Sequence, residues 1–228
     1  MEINENVVNL VGKIINLKED YSYKDEKFYN AEIEVDRLSG TPDILPITIP
    51  GKLLFRNDLA VGDYVSVEGE IRMYNCDSNG KHNIFAYAFV KDITTVDEKT
   101  YESCEERNYV KLEGYVCNSP RHRITTKTNR QITDMLIANN RNNRKSFYIP
   151  TISWGNTSIM ASKLMIGDKV LIEGRFQSRR YQADPLNGKP EDYSVQEISA
   201  TKIEVLKTKE VPENRYNETI DNIEELGV

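Results

Sequence analysis

The sequence predicts an all-β chain built as two tandem five-stranded Greek-key barrels, each carrying one short helix. The first observation behind this is a repeated heptapeptide: Asn6-Val7-Val8-Asn9-Leu10-Val11-Gly12 returns as Asn108-Tyr109-Val110-Lys111-Leu112-Glu113-Gly114. The second is a longer repeat, Leu59-Ala60-Val61-Gly62-Asp63-Tyr64-Val65-Ser66-Val67-Glu68-Gly69, which returns as Leu164-Met165-Ile166-Gly167-Asp168-Lys169-Val170-Leu171-Ile172-Glu173-Gly174. The offset drifts only from 102 to 105 residues, so the intervening structure is duplicated too. Solenoid units run to about 20–50 residues, so a repeat this long is a whole small domain. The third observation is the period-2 apolar alternation between these anchors, the mark of half-buried strands.

In the second copy, Tyr109–Val116 alternates Val110, Leu112, Gly114 and Val116 on one face. A polar stretch follows from Asn118 to Asn129, then a second strand near Ile132–Ala138. Asn139–Lys145 reads as a polar hairpin tip with no apolar residue to anchor it, mobile until a polyanion orders it. Ser146–Trp154 is a third strand rich in aromatic and β-branched residues. Asn156 or Thr157 is placed to cap a short helix over Ser158–Leu164. Lys169–Tyr181 is the fourth strand and Ser194–Val205 the fifth, separated by a loop marked by Pro185, Asn187-Gly188 and Pro190. The first copy repeats the order, with strands near Val7–Leu17, Phe28–Arg37, Ile44–Ile49, Asp63–Tyr74 and Ile84–Val96. Three strands, a short helix and two strands is the element order of the OB-fold. The expected division is an acidic barrel over 1–98, a charged linker, a basic barrel over 108–207 and an acidic tail over 208–228.

The formal net charge is −6, but it is partitioned: −7 over residues 1–100, +5 over 101–207 and −4 over 208–228. The second copy alone has the sign that a polyanion partner requires. No apolar run reaches the ~18 residues needed to span a bilayer, and the N-terminus lacks the plan of a signal peptide. The sequons at Asn156 and Asn217 therefore carry no meaning. Cys76, Cys104 and Cys117 are an odd, scattered set that fits a reduced, cytoplasmic compartment. The two histidines, His82 and His122, have no partners at metal-ligand spacing, and no phosphate loop or nucleophile motif is present. The reading is a non-enzymatic protein without cofactor or metal.

The second copy interleaves cations with aromatic rings. Arg121, His122, Arg123, Lys127 and Arg130 lie on the first connection and its flank, and Arg141, Arg144 and Lys145 on the next hairpin. Arg175, Arg179 and Arg180 lie on the fourth strand. Phe147, Tyr148, Trp154 and Tyr181 stand on the third and fourth strands. Binders of single-stranded nucleic acid need this mixture of cations along the phosphate path and flat rings beneath unstacked bases. Tyr148, Pro150, Ile152 and Trp154 share one face of a regular strand, and Phe147 and Ile149 the other. Both faces are apolar, so periodicity leaves open which one points inward.

Across Asn108–Tyr181 the residues resemble the bacterial single-stranded-DNA-binding (SSB) family. The resemblance rests on Phe147-Tyr148-Ile149-Pro150-Thr151-Ile152-Ser153-Trp154-Gly155-Asn156 and on Gly167–Tyr181, which ends Glu173-Gly174-Arg175-Phe176-Gln177-Ser178-Arg179-Arg180-Tyr181. It implies base stacking on Tyr148, Trp154 and Tyr181, with phosphates held by Arg121, Arg123, Lys127, Arg130, Arg141, Arg144, Lys145, Arg179 and Arg180. A further stacking aromatic at the end of the second strand is missing, since Ala138-Asn139-Asn140 stand there. In the first copy Ile44 replaces Tyr148, Pro50 replaces Trp154 and Cys76 aligns near Tyr181. Its Glu19-Asp20 and Asp25-Glu26 repel phosphates, although Tyr21, Tyr23, Phe28 and Tyr29 offer rings. The first barrel is therefore expected to serve assembly.

The resemblance further implies a homodimer supplying four OB-folds, and a cytoplasmic, nucleoid-associated role in replication, recombination or repair. Docking of replication or repair proteins on the acidic tail would follow, though the tail lacks the family's usual ending. Three alternatives stay open: an RNA-binding OB protein, a non-enzymatic protein-interaction scaffold, and an enzyme subunit or processivity accessory.

Overall fold

The computed structural model describes residues 3–37, 40–78, 81–125, 128–141, 145–181 and 193–208, with the backbone alone for 75–78, 81–84, 180, 181 and 193. Strand β1 (Asn6–Tyr23) buries Val8, Leu10, Gly12 and Ile14 in strict alternation, as its sequence pattern predicts. It turns through Lys24 and Asp25, both at positive φ (49° and 64°), into β2 (Glu26–Val35), which pairs back antiparallel. Two consecutive left-handed residues suit the right-handed twist of the flanking strands. β3 (Asp43–Pro50) follows, then a six-residue helix α1 (Gly51–Arg56) that buries Leu53 and Leu54. β4 (Tyr64–Ser78) and β5 (Lys81–Thr95) complete the first barrel. β5 lies parallel to β3, and β1 pairs with both β2 and β4, which closes the sheet.

The second barrel repeats this path. Its strands are β6 (Asn108–Val116), β8 (Gln131–Asn140), β9 (Ser146–Trp154), β10 (Lys169–Tyr181) and β11 (Tyr193–Lys207). The sheet closes through β6–β8 and β6–β10, with β11 parallel to β9. Helix α3 (Gly155–Ala161) sits between β9 and β10. Both barrels are OB-folds in tandem.

The repeated motifs have matching structural causes. Asn6 donates from Nδ2 to the Ile71 carbonyl and accepts the Ile71 N–H, both at 2.9 Å. Asn108 clamps Phe176 in the same way, at 2.6 and 2.9 Å. Each amide thus satisfies two backbone groups of its own barrel that the sheet leaves open. In the Gly-Asp repeats, Gly62 and Gly167 adopt φ of 104° and 98°, accessible to glycine without strain. Asp63 and Asp168 close the turns by accepting the N–H of Ala60 and Met165 at 2.8 Å. In the Glu-Gly repeats, a Cβ on Gly69 or Gly174 would lie 2.4 Å from Phe89 O or 2.2 Å from Ser199 O. Each glycine sits at a bulge where β4 or β10 crosses the next strand at close quarters.

Three sequence expectations are corrected. The linker contains a helix, α2 (Glu98–Ser103), capped by Asp97, which accepts the Thr100 N–H at 2.7 Å. Its Tyr101 is buried, stacks on Tyr64 at 4.5 Å between ring centroids and donates its hydroxyl to Asp36 at 2.6 Å. The polar stretch before β8 holds a short strand, β7 (Arg121–Ile124), paired with β8. Helix α3 begins at Gly155, earlier than predicted, and neither Asn156 nor Thr157 caps it; its N-cap, Trp154, makes no side-chain capping bond.

The barrels are spliced edge to edge. β1 and β6 pair antiparallel with Asn6 opposite Leu112, Val8 opposite Val110 and Leu10 opposite Asn108. Val8 and Val110, equivalent in the two copies, face one another, and the flanking pairs exchange about them (Asn6 with Leu112, Leu10 with Asn108), so an approximate twofold axis passes between Val8 and Val110. The expected unanchored hairpin tip is also tied across this seam. Asn139 is buried and donates to the carbonyls of Glu5 and Glu113 at 3.0 and 2.8 Å, and Asn140 exchanges hydrogen bonds with Asn4. Residues 142–144 of that tip lie outside the described residues.

Two ion-pair hubs flank the seam. On one side Asp43 of β3, 1% exposed, accepts from Arg37 of its own barrel, from Arg175 at 3.3 Å and from the Ser178 N–H at 2.8 Å. On the other, Glu70 of β4 accepts from Arg72, Lys91 and, across the seam, Arg141 at 2.7–2.8 Å. Burial alone would raise the Glu70 carboxyl, but the bonds from Lys91 and Arg72 outweigh it and hold the group below its usual range.

Candidate nucleic-acid interface

Strand β9 settles the question that periodicity left open. Ile149, Thr151 and Ser153 point into the barrel, and Tyr148 projects outward with 54% of its surface exposed. Pairing with β8 at Ala138 holds Tyr148 in place. Trp154 ends the strand opposite Ile132, half-buried, where Gly155 at φ 56° turns the chain into α3. Tyr148 and Trp154 are six positions apart on one face, roughly 20 Å at ~3.3 Å per residue.

Trp154 borders two depressions. One, of about 500 Å³, is lined by Asn129, Arg130, Gln131, Gly155, Asn156 and Ile159. The other, of about 760 Å³, gathers Arg130, Trp154, Arg175, Gln177, Arg179 and Ser199 from the second barrel with residues of the first. Its floor is a polar chain: Arg175 donates to Gln177 at 3.0 Å, Gln177 to Glu197 at 2.8 Å, and Arg179 to Glu197 at 3.1 Å. Glu197 is 4% exposed, and burial pushes its carboxyl above the ordinary value despite Arg179.

The basic residues read from the sequence divide into two groups. Arg121 is exposed on β7, and Arg123 next to it pairs with Asp134 at 2.9 Å. With Arg130 and Arg179 these surround the Trp154 end of β9. Arg141 and Lys145 lie at the opposite end. Arg141 is held by Glu70 and stacks over the Phe147 ring at 4.7 Å, which ties it to the seam. Lys145 is exposed beside a depression of about 400 Å³ that Glu70 and Lys91 also line. Tyr181 and Arg180 lie on β10 opposite Tyr193 and Ser194, with side chains outside the described residues. Lys127 and Arg144 fall outside altogether. His122 is structural, its Nδ1 lying 2.9 Å from Thr133 Oγ1 and 3.2 Å from Ser158 Oγ. Among the described residues no group of three or more His, Cys, Asp and Glu side chains is placed to hold a metal ion.

In the first barrel Tyr21 stacks on buried Phe28 at 4.8 Å and Tyr29 meets Phe55 edge-on, so two of the four predicted rings are packed rather than offered. Tyr21 and Tyr23 remain exposed. Tyr21, Tyr74, Phe85 and Tyr87 line a groove of about 690 Å³ whose rim carries Asp20 and Glu32.

These features define a tandem OB-fold protein with one aromatic, arginine-lined face. Residues 107–206 match the model of the single-strand binding protein family. Solved structures resemble nearly the whole chain. The single-stranded DNA binding protein from Thermus aquaticus is 17% identical, with 92% of this chain and 97% of that chain covered, at a TM-score of 0.70. A deletion mutant of the same protein is 18% identical, with 93% and 100% covered, at a TM-score of 0.69. The N-terminal domain of PriB protein from Thermoanaerobacter tencongensis is 41% identical, with 41% of this chain and 98% of that one covered, at a TM-score of 0.36. No curated protein sequence matches. Residues 107–206 thus place the second barrel in the single-strand binding protein family.

Proposed function

We infer that the protein binds single-stranded DNA without strong sequence preference. The observation that carries this is the placement of an exposed Tyr148 and a half-buried Trp154 on one strand face, flanked by Arg121, Arg123, Arg130 and Arg179, within the segment that matches the family. Rings accept any base because every base has a π face, and the guanidiniums follow the phosphates. Tyr181, Arg180, Lys127, Arg144 and Lys145 are assigned to the same path. Arg141 is assigned chiefly to the seam with the first barrel.

Barrel 108–207 is the binding unit and barrel 1–98 supports it. Two chains would supply four barrels, and the acidic stretch 208–228 would dock proteins of replication or repair. The setting is the cytoplasm, where the protein would cover strands exposed in replication, recombination or repair. No catalysis is assigned to it.

Trp154 is the chain's only tryptophan, which makes the test direct. Oligo-dT titrated at low and high salt should quench Trp154 to saturation, more weakly at high salt, while duplex leaves the signal flat. No quenching and no gel shift would remove the reading.

A further inference from the structure

The larger groove at Trp154 is not confined to the barrel that matches the family. Its other wall is Glu34, Arg37, Thr41, Pro42 and Ile44, all from the first barrel. We propose that the single strand crosses the seam at this point, so that Arg37 and Thr41 carry its phosphates and Ile44 with Pro42 lies along its bases. This rests on the single-strand-binding reading and extends it to residues outside the matched segment.

Three features support the crossing. The groove's volume, about 760 Å³, lies within the roughly 300–1,000 Å³ range of small-molecule clefts, so a nucleotide has room beside the indole. Its charges are layered. Asp43 and Glu197 lie beneath the surface, at 1% and 4% exposure. The guanidiniums they hold, on Arg37, Arg175 and Arg179, keep 24–34% of their side-chain surface open, and Arg130 adds a fourth at the rim. An approaching phosphate therefore meets the cations first, with Glu34 the one carboxylate among the described residues that line the groove.

The third feature is rigidity across the seam. Arg37 spends its Nε and Nη2 on Asp43 and the Ser178 carbonyl, and Asp43 in turn accepts from Arg175 and the Ser178 N–H. One buried carboxylate thus fixes a guanidinium from each barrel before any strand arrives. Donors held in place lose little freedom on binding. The acidic surface of the first barrel, at Glu19–Asp20 and Asp25–Glu26, lies along β1 and β2 around their turn, away from the residues lining this groove.

The test uses the full chain and oligo-dT of about 6 and about 30 nucleotides, chosen around the ~4–16 nucleotides one OB-fold covers. Binding is read by Trp154 quenching and by anisotropy of labelled strand across salt. Thr41→Glu places a repelling charge in the groove without touching the Asp43 hub, and Arg37→Gln removes one phosphate partner. Thr95→Glu puts the same charge on the first barrel away from the groove, and urea unfolding confirms that each variant is folded.

For the longer strand, Thr41→Glu and Arg37→Gln should each weaken binding about fivefold, the scale of one exposed ion pair. Arg37→Gln should also reduce the salt slope by about 0.7. The short strand should be affected less, and Thr95→Glu should match the parent. Parent protein that quenches normally, with both groove variants unchanged at every length, would overturn the crossing while leaving the second barrel's role intact. Parent protein that ignores dT altogether would instead overturn the underlying reading, and the crossing with it.

Discussion

Replacing Asp43 with alanine should cost the protein a large share of its stability. The carboxylate is 1% exposed and has three partners: the guanidinium of Arg37, that of Arg175 at 3.3 Å, and the Ser178 N–H at 2.8 Å. Its loss leaves the Ser178 N–H without its acceptor, which costs about 1–3 kcal/mol when such a group is buried. It also leaves two guanidiniums side by side with no counter-charge, and breaking a buried pair on one side typically costs ~3–5 kcal/mol. The two costs overlap, and Arg37 and Arg175 keep 24% and 34% of their side chains in water, which discounts the second. The sum is about 3–4 kcal/mol, against the ~5–15 kcal/mol that holds a typical domain folded.

Burial and the neighbouring Arg37 lower the Arg175 pKa, and Asp43 opposes them, so its removal exposes the repulsion directly. The assay is urea unfolding followed by circular dichroism and Trp154 fluorescence. Asp43→Asn, which retains an acceptor, should lose about half as much as Asp43→Ala. Adding Arg175→Met to Asp43→Ala should recover about 1–2 kcal/mol, the usual coupling between contacting groups. A loss below about 1 kcal/mol for Asp43→Ala, or no recovery in the double variant, would refute the hub.

Trp154→Ala and Tyr148→Ala should each weaken oligo-dT binding by about 1–3 kcal/mol, the contribution of one stacked base, measured by anisotropy of labelled strand. Asn6→Ala and Asn108→Ala should each cost roughly 1–3 kcal/mol in urea unfolding, because each uncovers one backbone N–H and one carbonyl at equivalent places, and Asn6→Ala should cost the more, since it also takes a donor from buried Asn139. Tyr101 has its pKa pushed up to about 12, first by burial and then by its bond to Asp36. The neutral phenol is thus favoured in the folded chain. That contribution should be complete below pH 10 and lost as pH rises toward 12, and ultraviolet titration should find one tyrosine ionising late, a feature that Tyr101→Phe removes.

The barrel pair was legible in the sequence because its determinants are local. The Gly-Asp turns, the Glu-Gly bulges and the alternation around Val8 and Val110 each specify their own conformation, and each occurs twice. Helix α2 was missed because its anchor, Tyr101, finds Tyr64 and Asp36 only after folding, and no apolar periodicity marks it. Strand β7 is four residues long with one apolar side chain, Ile124, so no alternation separates it from a loop. Tyr148 and Trp154 could be named from the sequence, but not the direction each faces, since both faces of β9 are apolar. Arg37, Thr41 and Ile44 could not be placed beside Trp154 at all. Their nearness follows from the β1–β6 splice, which no spacing along the chain encodes.

That splice also removes a constraint under which symmetric assemblies labour. A barrel that pairs with an identical copy must complement itself, because every interface residue appears on both sides of the axis. Here Glu70 occupies the place in the first copy that Arg175 holds in the second, and Asp43 corresponds in the same way to Phe147. Two first barrels joined in this fashion would bring Asp43 up to Glu70, with Arg37 in the place of Arg141 and no counterpart of Arg175. Two second barrels would set Arg175 against Arg141 and Phe147 with no acid between them. Unlike barrels give each hub a carboxylate from the first copy and an arginine from the second, so the duplicated halves fit one another as plug and socket. Once pairing no longer demanded sameness, one half could turn acidic while the other kept its arginines and its indole.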